Sequence, residues 1–163
     1  MSDIQVITGT PNDVHDVMEL ALMGSAENGF VRPNPEKLLA EIWPSLHLDH
    51  GIMGLIRGER LEGAILLRIN SLWYSDDAFL EERAIYVHPE FRSAKGGRAA
   101  RLCEFAKLAA KRLGLPLMIG VLSNTRTAGK VRLYERQFGP QAGSYFLWNA
   151  PKTGTVVKRE GVA

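Results

Sequence analysis

Residues 86–102 read YVHPEFRSAKGGRAARL. An apolar segment ends at Pro89, and the junction beyond crowds Arg92, Lys95, Arg98 and Arg101 around the adjacent glycines Gly96 and Gly97. That mixture suits the binding of an anion. Glycine lets a backbone approach a ligand because no Cβ intervenes. A helix that starts there presents unpaired N–H groups and about half a positive charge, on which a diphosphate can sit. Lys95 and Arg98 add charge that holds a phosphate but not a neutral ligand. The plainer alternative is a glycine turn at a helix start with solvated basic residues. AGKV at 128–131 is not a phosphate loop of the GxxxxGK[ST] kind, since it lacks the upstream glycine and the hydroxyl after the lysine.

Just before this stretch stand two neighbouring carboxylates, Glu81 and Glu82, on a segment (80–87) that reads as a strand. Strand alternation sends neighbours to opposite faces, so at most one of them points at any given site. Cys103, the one cysteine, excludes an intramolecular disulfide and cannot build a zinc site by itself. Its neighbours Leu102 and Phe105 mark it as a small core residue rather than a nucleophile. His15, His47, His50 and His88 show no metal-ligand spacing, so no metal is expected.

The elements that must hold these residues follow from periodicity and punctuation. A strand at 4–8 ends at Gly9, and Asn12 or Asp13 caps a helix with Val14, Val17, Met18 and Ala21 on one face. GSAENGFVRPNP (24–35) reads as a loop. A second helix turns Leu38, Leu39, Ile42, Trp43 and Leu46 inward and is kinked or shortened by Pro44. Strands at 51–57 and 61–69 flank GER as a hairpin. After the 80–87 strand, a helix from about Gly96 to Leu113 buries Leu102, Phe105, Ala106, Ala109 and Leu113. A strand over 114–122, a helix over 124–137 and a last strand over 144–148 complete the order β-α-α-β-β-β-α-β-α-β.

With 163 residues the chain fits one domain over 1–150, followed by a polar tail over 151–163. Twenty basic residues against 18 acidic ones leave a net charge of +2, too little for a nucleic-acid binder. The start lacks a signal-peptide pattern and no apolar run reaches membrane length, so no membrane is expected and a cytoplasmic protein is.

Val87, Pro89, Phe91, Arg92 and Gly97 match, without a gap, the Val-x-Pro-x-Tyr-Arg-x-x-Gly-x-Gly signature of the GNAT superfamily, with Lys95 at the first glycine. Asn124, Tyr134, Glu135 and a following QFG hold the places of that superfamily's second motif, with FGP in place of Gly-Phe. The chain therefore resembles the GNAT acyltransferases, which pass acyl groups from acyl-CoA to amines. The resemblance implies an α/β (α+β) fold: a mixed, mostly antiparallel central sheet with two splayed parallel strands (80–87 and 117–122), flanked by about four helices.

It also implies an N-acetyltransferase that binds acetyl-CoA and a primary amine of a small molecule or protein, reacting by direct attack in a ternary complex. The diphosphate would lie on Arg92, Ser93, Ala94, Lys95, Gly96, Gly97 and Arg98. The pantetheine would lie along the backbone of Ile85, Tyr86 and Val87, one of whose N–H groups meets the oxyanion, with Asn124 a further contact. Tyr134 would be the partner of the departing sulfur, or else a tyrosine packed inward beside Val131 and Phe138. Glu81, six residues before the signature valine, is the first candidate for the base, with Glu82 or a bound water as alternatives. Trp73, Tyr74, Asp76 and Asp77 either line the acceptor pocket or form a turn. Arg126 and Lys130 either face the nucleotide phosphates or are solvated. Members of the superfamily are frequently homodimers. The alternative function is a non-catalytic acyl-CoA sensor or scaffold, which the lysine at the first glycine position keeps open.

Overall fold

The computed structural model describes residues 3–93, 97–123 and 126–149. A five-stranded sheet runs in the order β1 (Ile7–Thr8), β2 (Gly51–Arg57), β3 (Leu61–Ser71), β4 (Ala78–Val87) and β5 (Leu117–Met118). The first four strands are antiparallel, and β5 runs parallel to β4.

Helices α1 (Val14–Asn28) and α2 (Pro35–Leu46) cover one face, α3 (Arg98–Leu113) the other, and α4 (Thr127–Phe138) packs beside α3. Strand alternation divides the core accordingly. Ala64 and Leu66 of β3 pack with Val17, Leu20, Ile42 and Leu46, whereas Ile65 and Leu67 pack with Leu102, Ala106 and Ala109. This is the expected fold class, with its four helices and its parallel pair.

Two irregularities position everything that follows. In the β3–β4 ladder Leu66 faces Ala84 and Leu67 faces Glu82, so Arg83 has no partner and forms a β-bulge. Leu80 therefore faces α3, and so do Ile85 and Val87 beyond the bulge, while Tyr86 packs toward α1. The β4–β5 ladder is confined to Leu80–Leu117 and Glu81–Met118, after which the two strands part.

Several boundaries differ from expectation. Helix α1 continues through residues 24–28, expected as loop, and ends at Gly29 in the left-handed conformation (φ 69°). Within that helix Gly24 puts its bare backbone against the Tyr86 ring, where a Cβ would lie 2.8 Å from Cδ2. Trp43 and Leu39 are not inward: Trp43 is 46% exposed, because Ile42, Ser45 and Leu46 form the buried stripe. Leu113, at the last turn of α3, is also exposed. Strand pairing trims the expected 114–122 strand to two residues, and the 4–8 strand to Ile7–Thr8.

Residues 144–148 form no strand, and Phe146 and Trp148 are each 92% exposed. High strand propensity does not suffice without a ladder and a packing face.

Candidate active site

Glu81 and Glu82 occupy opposite faces of β4, as alternation requires. Glu81 turns toward α2, where its Oε2 accepts Asn70 Nδ2 at 2.9 Å and Arg83 Nη1 at 3.2 Å. Arg83 in turn pairs with Glu41 of α2 at 3.4 Å. Glu81 is thus engaged in an ionic seam between the sheet and α2.

Glu82 turns the other way, to where β4 and β5 part. Its Oε2 accepts the Gly120 N–H at 3.4 Å across that opening. Burial raises the Glu82 carboxyl to about 7, with the Glu81 charge adding to the rise and the Gly120 N–H opposing it.

Tyr134 of α4 and Cys103 of α3 share this side. Burial, then the negative field of Glu82, pushes the Tyr134 phenol well above its usual value. The ring packs edge-on against Phe138 at 5.8 Å. Cys103 is fully buried, and burial followed by Glu82 pushes its thiol up to about 12, so it stays protonated. It is a core residue, as its neighbours implied.

Beyond the bulge the β4 backbone has one paired and one open edge. His88 N–H donates to Glu62 O at 2.8 Å on the β3 side. Alternation then turns the N–H and C=O groups of Ile85 and Val87 to the open side. The Val87 carbonyl is already taken, accepting Arg92 Nε at 2.7 Å.

Both arginines of the expected phosphate loop are engaged within the chain. Arg92 donates from Nη1 and Nη2 to the two oxygens of Glu27 at 2.8 and 2.7 Å. Arg98 donates from Nε to Glu62 Oε2 at 2.7 Å, and its guanidinium lies 5.1 Å from the Phe91 ring centre. A surface hollow lined by Glu59, Arg60, Glu62 and Phe91 adjoins this point.

Ser93 is exposed. Gly97, directly before α3, adopts φ 65° with open space where a Cβ would be. Ala94, Lys95, Gly96 and Asn124 lie outside the described residues. His88 braces the turn before the loop, its Nδ1 accepting Glu90 N–H at 3.3 Å.

On α4, one turn before Tyr134, Lys130 is half-buried and donates to Ser123 Oγ at 3.0 Å. Burial lowers its ammonium, while Glu27 and Glu82 both lie close enough to raise it. Trp73 and Tyr74 stack edge-on at 5.3 Å on an exposed turn in which Ser75 Oγ accepts Asp77 N–H at 3.1 Å.

Glu27 is the participant that the sequence did not reveal, because residues 24–28 read as loop. The available signal was the helix-favouring Ala26–Glu27 pair with a glycine just beyond at Gly29, a helix end that would place Gly24 and Glu27 on one face. Among the described residues no group of three His, Cys, Asp or Glu is placed to hold a metal ion. No described helix is long and apolar enough to cross a membrane.

No protein-family model and no curated protein matches the sequence. Solved structures do match. The aminoglycoside 6'-N-acetyltransferase AAC(6')-Iy, in complex with a CoA-containing bisubstrate analogue, superimposes with a TM-score of 0.69 at 14% identity. The match covers 91% of this chain and 98% of that one. The ribosomal-protein-alanine N-acetyltransferase from Brucella melitensis biovar Abortus 2308 gives 0.64 at 16% identity, over 90% and 99%. The chain has the GNAT fold.

An integron cassette protein from the mobile metagenome of Cole Harbour Salt Marsh is similar too, with a TM-score of 0.65 at 22% identity over 90% of each chain. At these identities the GNAT likeness is one of architecture, and the chemistry must be argued from this chain's own residues. Within the GNAT fold Glu82 and Tyr134 are neighbours on the α3 side of the sheet, where the β4–β5 ladder has ended and the β4 edge at Ile85 and Val87 faces no described strand.

Proposed function

We propose that the chain is an N-acyltransferase that carries an acetyl group from acetyl-CoA to a primary amine by direct attack. The observation that carries this reading is the shared side of Glu82 and Tyr134 at the β4–β5 opening, beside an unpaired strand edge. Such an edge can hydrogen-bond the amides of a pantetheine arm, as an added strand would. The start of α3 supplies amides and a positive dipole for the diphosphate.

An alkyl ammonium has a pKa near ~10.4, and an ordinary glutamate would sit about 6 units below it. A carboxyl raised to about 7 narrows that gap to about 3 units, which lowers the cost of taking the amine proton by roughly 4 kcal/mol. Glu82 is therefore the base in this reading, and Glu81 holds β4 against α2.

The amine nitrogen bonds to the thioester carbon, the carbonyl oxygen gains charge, and an outward N–H of Ile85 or Val87 meets it. One such donor is worth about 2.7–4 kcal/mol. The carbon–sulfur bond then breaks and coenzyme A leaves as a thiolate. A phenol raised as far as that of Tyr134 is a poor source of protons but remains a hydrogen-bond donor, so it stabilises the sulfur without protonating it.

The test is thiol release from acetyl-CoA with a panel of amines, together with calorimetry of coenzyme A binding. Turnover with at least one amine class, lost in Glu82→Gln, supports the reading. Failure of the intact chain to bind coenzyme A overturns it.

A further inference from the structure

Four groups from three parts of the chain meet near the end of β4. The Tyr86 hydroxyl donates to Glu27 Oε2 at 2.6 Å. The Arg92 guanidinium grips both oxygens of the same carboxylate and lies 4.9 Å from the Tyr86 ring centre. The α1 backbone at Gly24, one turn before Glu27, also runs against the ring, so close that a Cβ would clash. The ring is in contact with both a helix backbone and a guanidinium. Glu27 holds both to α1, and the hydrogen bonds from Arg92 keep its carboxyl down at about 2.

Arg92 also stands just before the glycine loop, and its Nε donates to the Val87 carbonyl. Arg98 anchors the loop's far end to Glu62. Neither guanidinium is idle. The residues on either side of the glycine segment, Arg92 and Arg98, are thus each held by a carboxylate, one of them on α1.

We propose that Glu27 is a positioning residue for the acyl donor: through Arg92 and Tyr86 it fixes where β4 ends and where the glycine loop begins. The inference rests on the donor-binding reading above. Its physical content is preorganisation. A loop whose start is already fixed loses less freedom when a diphosphate arrives, and that loss otherwise subtracts from affinity. Arg92 then serves the donor by holding backbone and not by touching phosphate.

A double-mutant cycle in the full-length protein tests this, with coenzyme A affinity measured by calorimetry and KM and kcat measured for acetyl-CoA. Glu27→Ala is expected to weaken coenzyme A binding at least tenfold, about 1.4 kcal/mol. KM should rise in step, while kcat at saturating donor stays within threefold. Arg92→Met should do the same, and the double variant should be no worse than either single, because both remove one device. A merely structural role would lower thermal stability and leave the split between KM and kcat unchanged.

Affinity within twofold of the parent in Glu27→Ala overturns the proposal. So does a loss confined to Arg92→Met, or losses that add in the double variant. If Glu27→Ala fails to fold, Glu27→Gln is judged by the same criteria. An intact chain that binds no coenzyme A removes the donor reading and the proposal together. An intact chain that binds, with variants that bind equally well, removes the proposal alone.

Discussion

The Glu82 carboxylate accepts the Gly120 N–H at 3.4 Å across the point where β4 and β5 separate. That contact is weak by distance, and it ties the strands only where their ladder has already ended. Burial outweighs that contact and leaves the carboxyl poised near 7, with several consequences.

Thiol release should rise with pH through a limb centred near 7, because the base acts only when ionised. Glu82→Gln should abolish that limb and lower kcat by about 10²- to 10⁴-fold. A pH–rate profile of both proteins under saturating donor decides this. A limb that persists in Glu82→Gln assigns the base elsewhere.

The same group should mark the stability curve. Folded Glu82 keeps its proton up to about 7, whereas an unfolded glutamate releases it near ~4.3. Between those values the folded state binds more protons, so stability declines as pH rises through this window. Glu82→Gln should therefore melt higher than the parent above pH 7 and alongside it below pH 4, as thermal scans at both ends would show.

Glu81→Gln is the matched control. Its carboxylate is engaged with Asn70 and Arg83, so its loss should keep the pH limb, moved somewhat to lower pH because its charge no longer adds to the rise of Glu82, and leave kcat within about threefold. A loss as deep as that of Glu82→Gln would reverse the assignment.

Tyr134→Phe removes one hydrogen bond to a developing thiolate and should cost on the order of 10- to 100-fold in kcat, with coenzyme A affinity little changed. Steady-state kinetics beside calorimetry separates this from a packing defect.

Gly24→Ala should destabilise the fold by about 1–3 kcal/mol in denaturant titrations, because the added methyl meets the Tyr86 ring. Phe146→Ser, at an exposed position, should change stability by no more than about 0.5 kcal/mol.

Much of this architecture was legible in residue order. The hairpin around residues 58–60 and the amphipathic face of α3 announced themselves through local pattern, whereas the parting parallel strands followed from the family resemblance. The choice between Glu81 and Glu82 did not, since alternation says that they diverge but not which face carries the cleft. Trp43 misled because helical spacing cannot separate the centre of an apolar stripe from its flank. Glu27 escaped notice because its partners lie 59 and 65 residues away. Only tertiary packing brings a carboxylate, a phenol and a guanidinium from such separations into one cluster.

The unpaired Arg83 carries a last consequence. One supernumerary residue inverts the parity of the strand halfway along. Glu82 can therefore look toward α3 while Tyr86, four positions later, looks toward α1. An uninterrupted zigzag would have sent both side chains the same way and left Glu27 without its phenol. Excising Arg83 should thus act as a frameshift in three dimensions, separating the two halves of the site without altering any residue that either half uses.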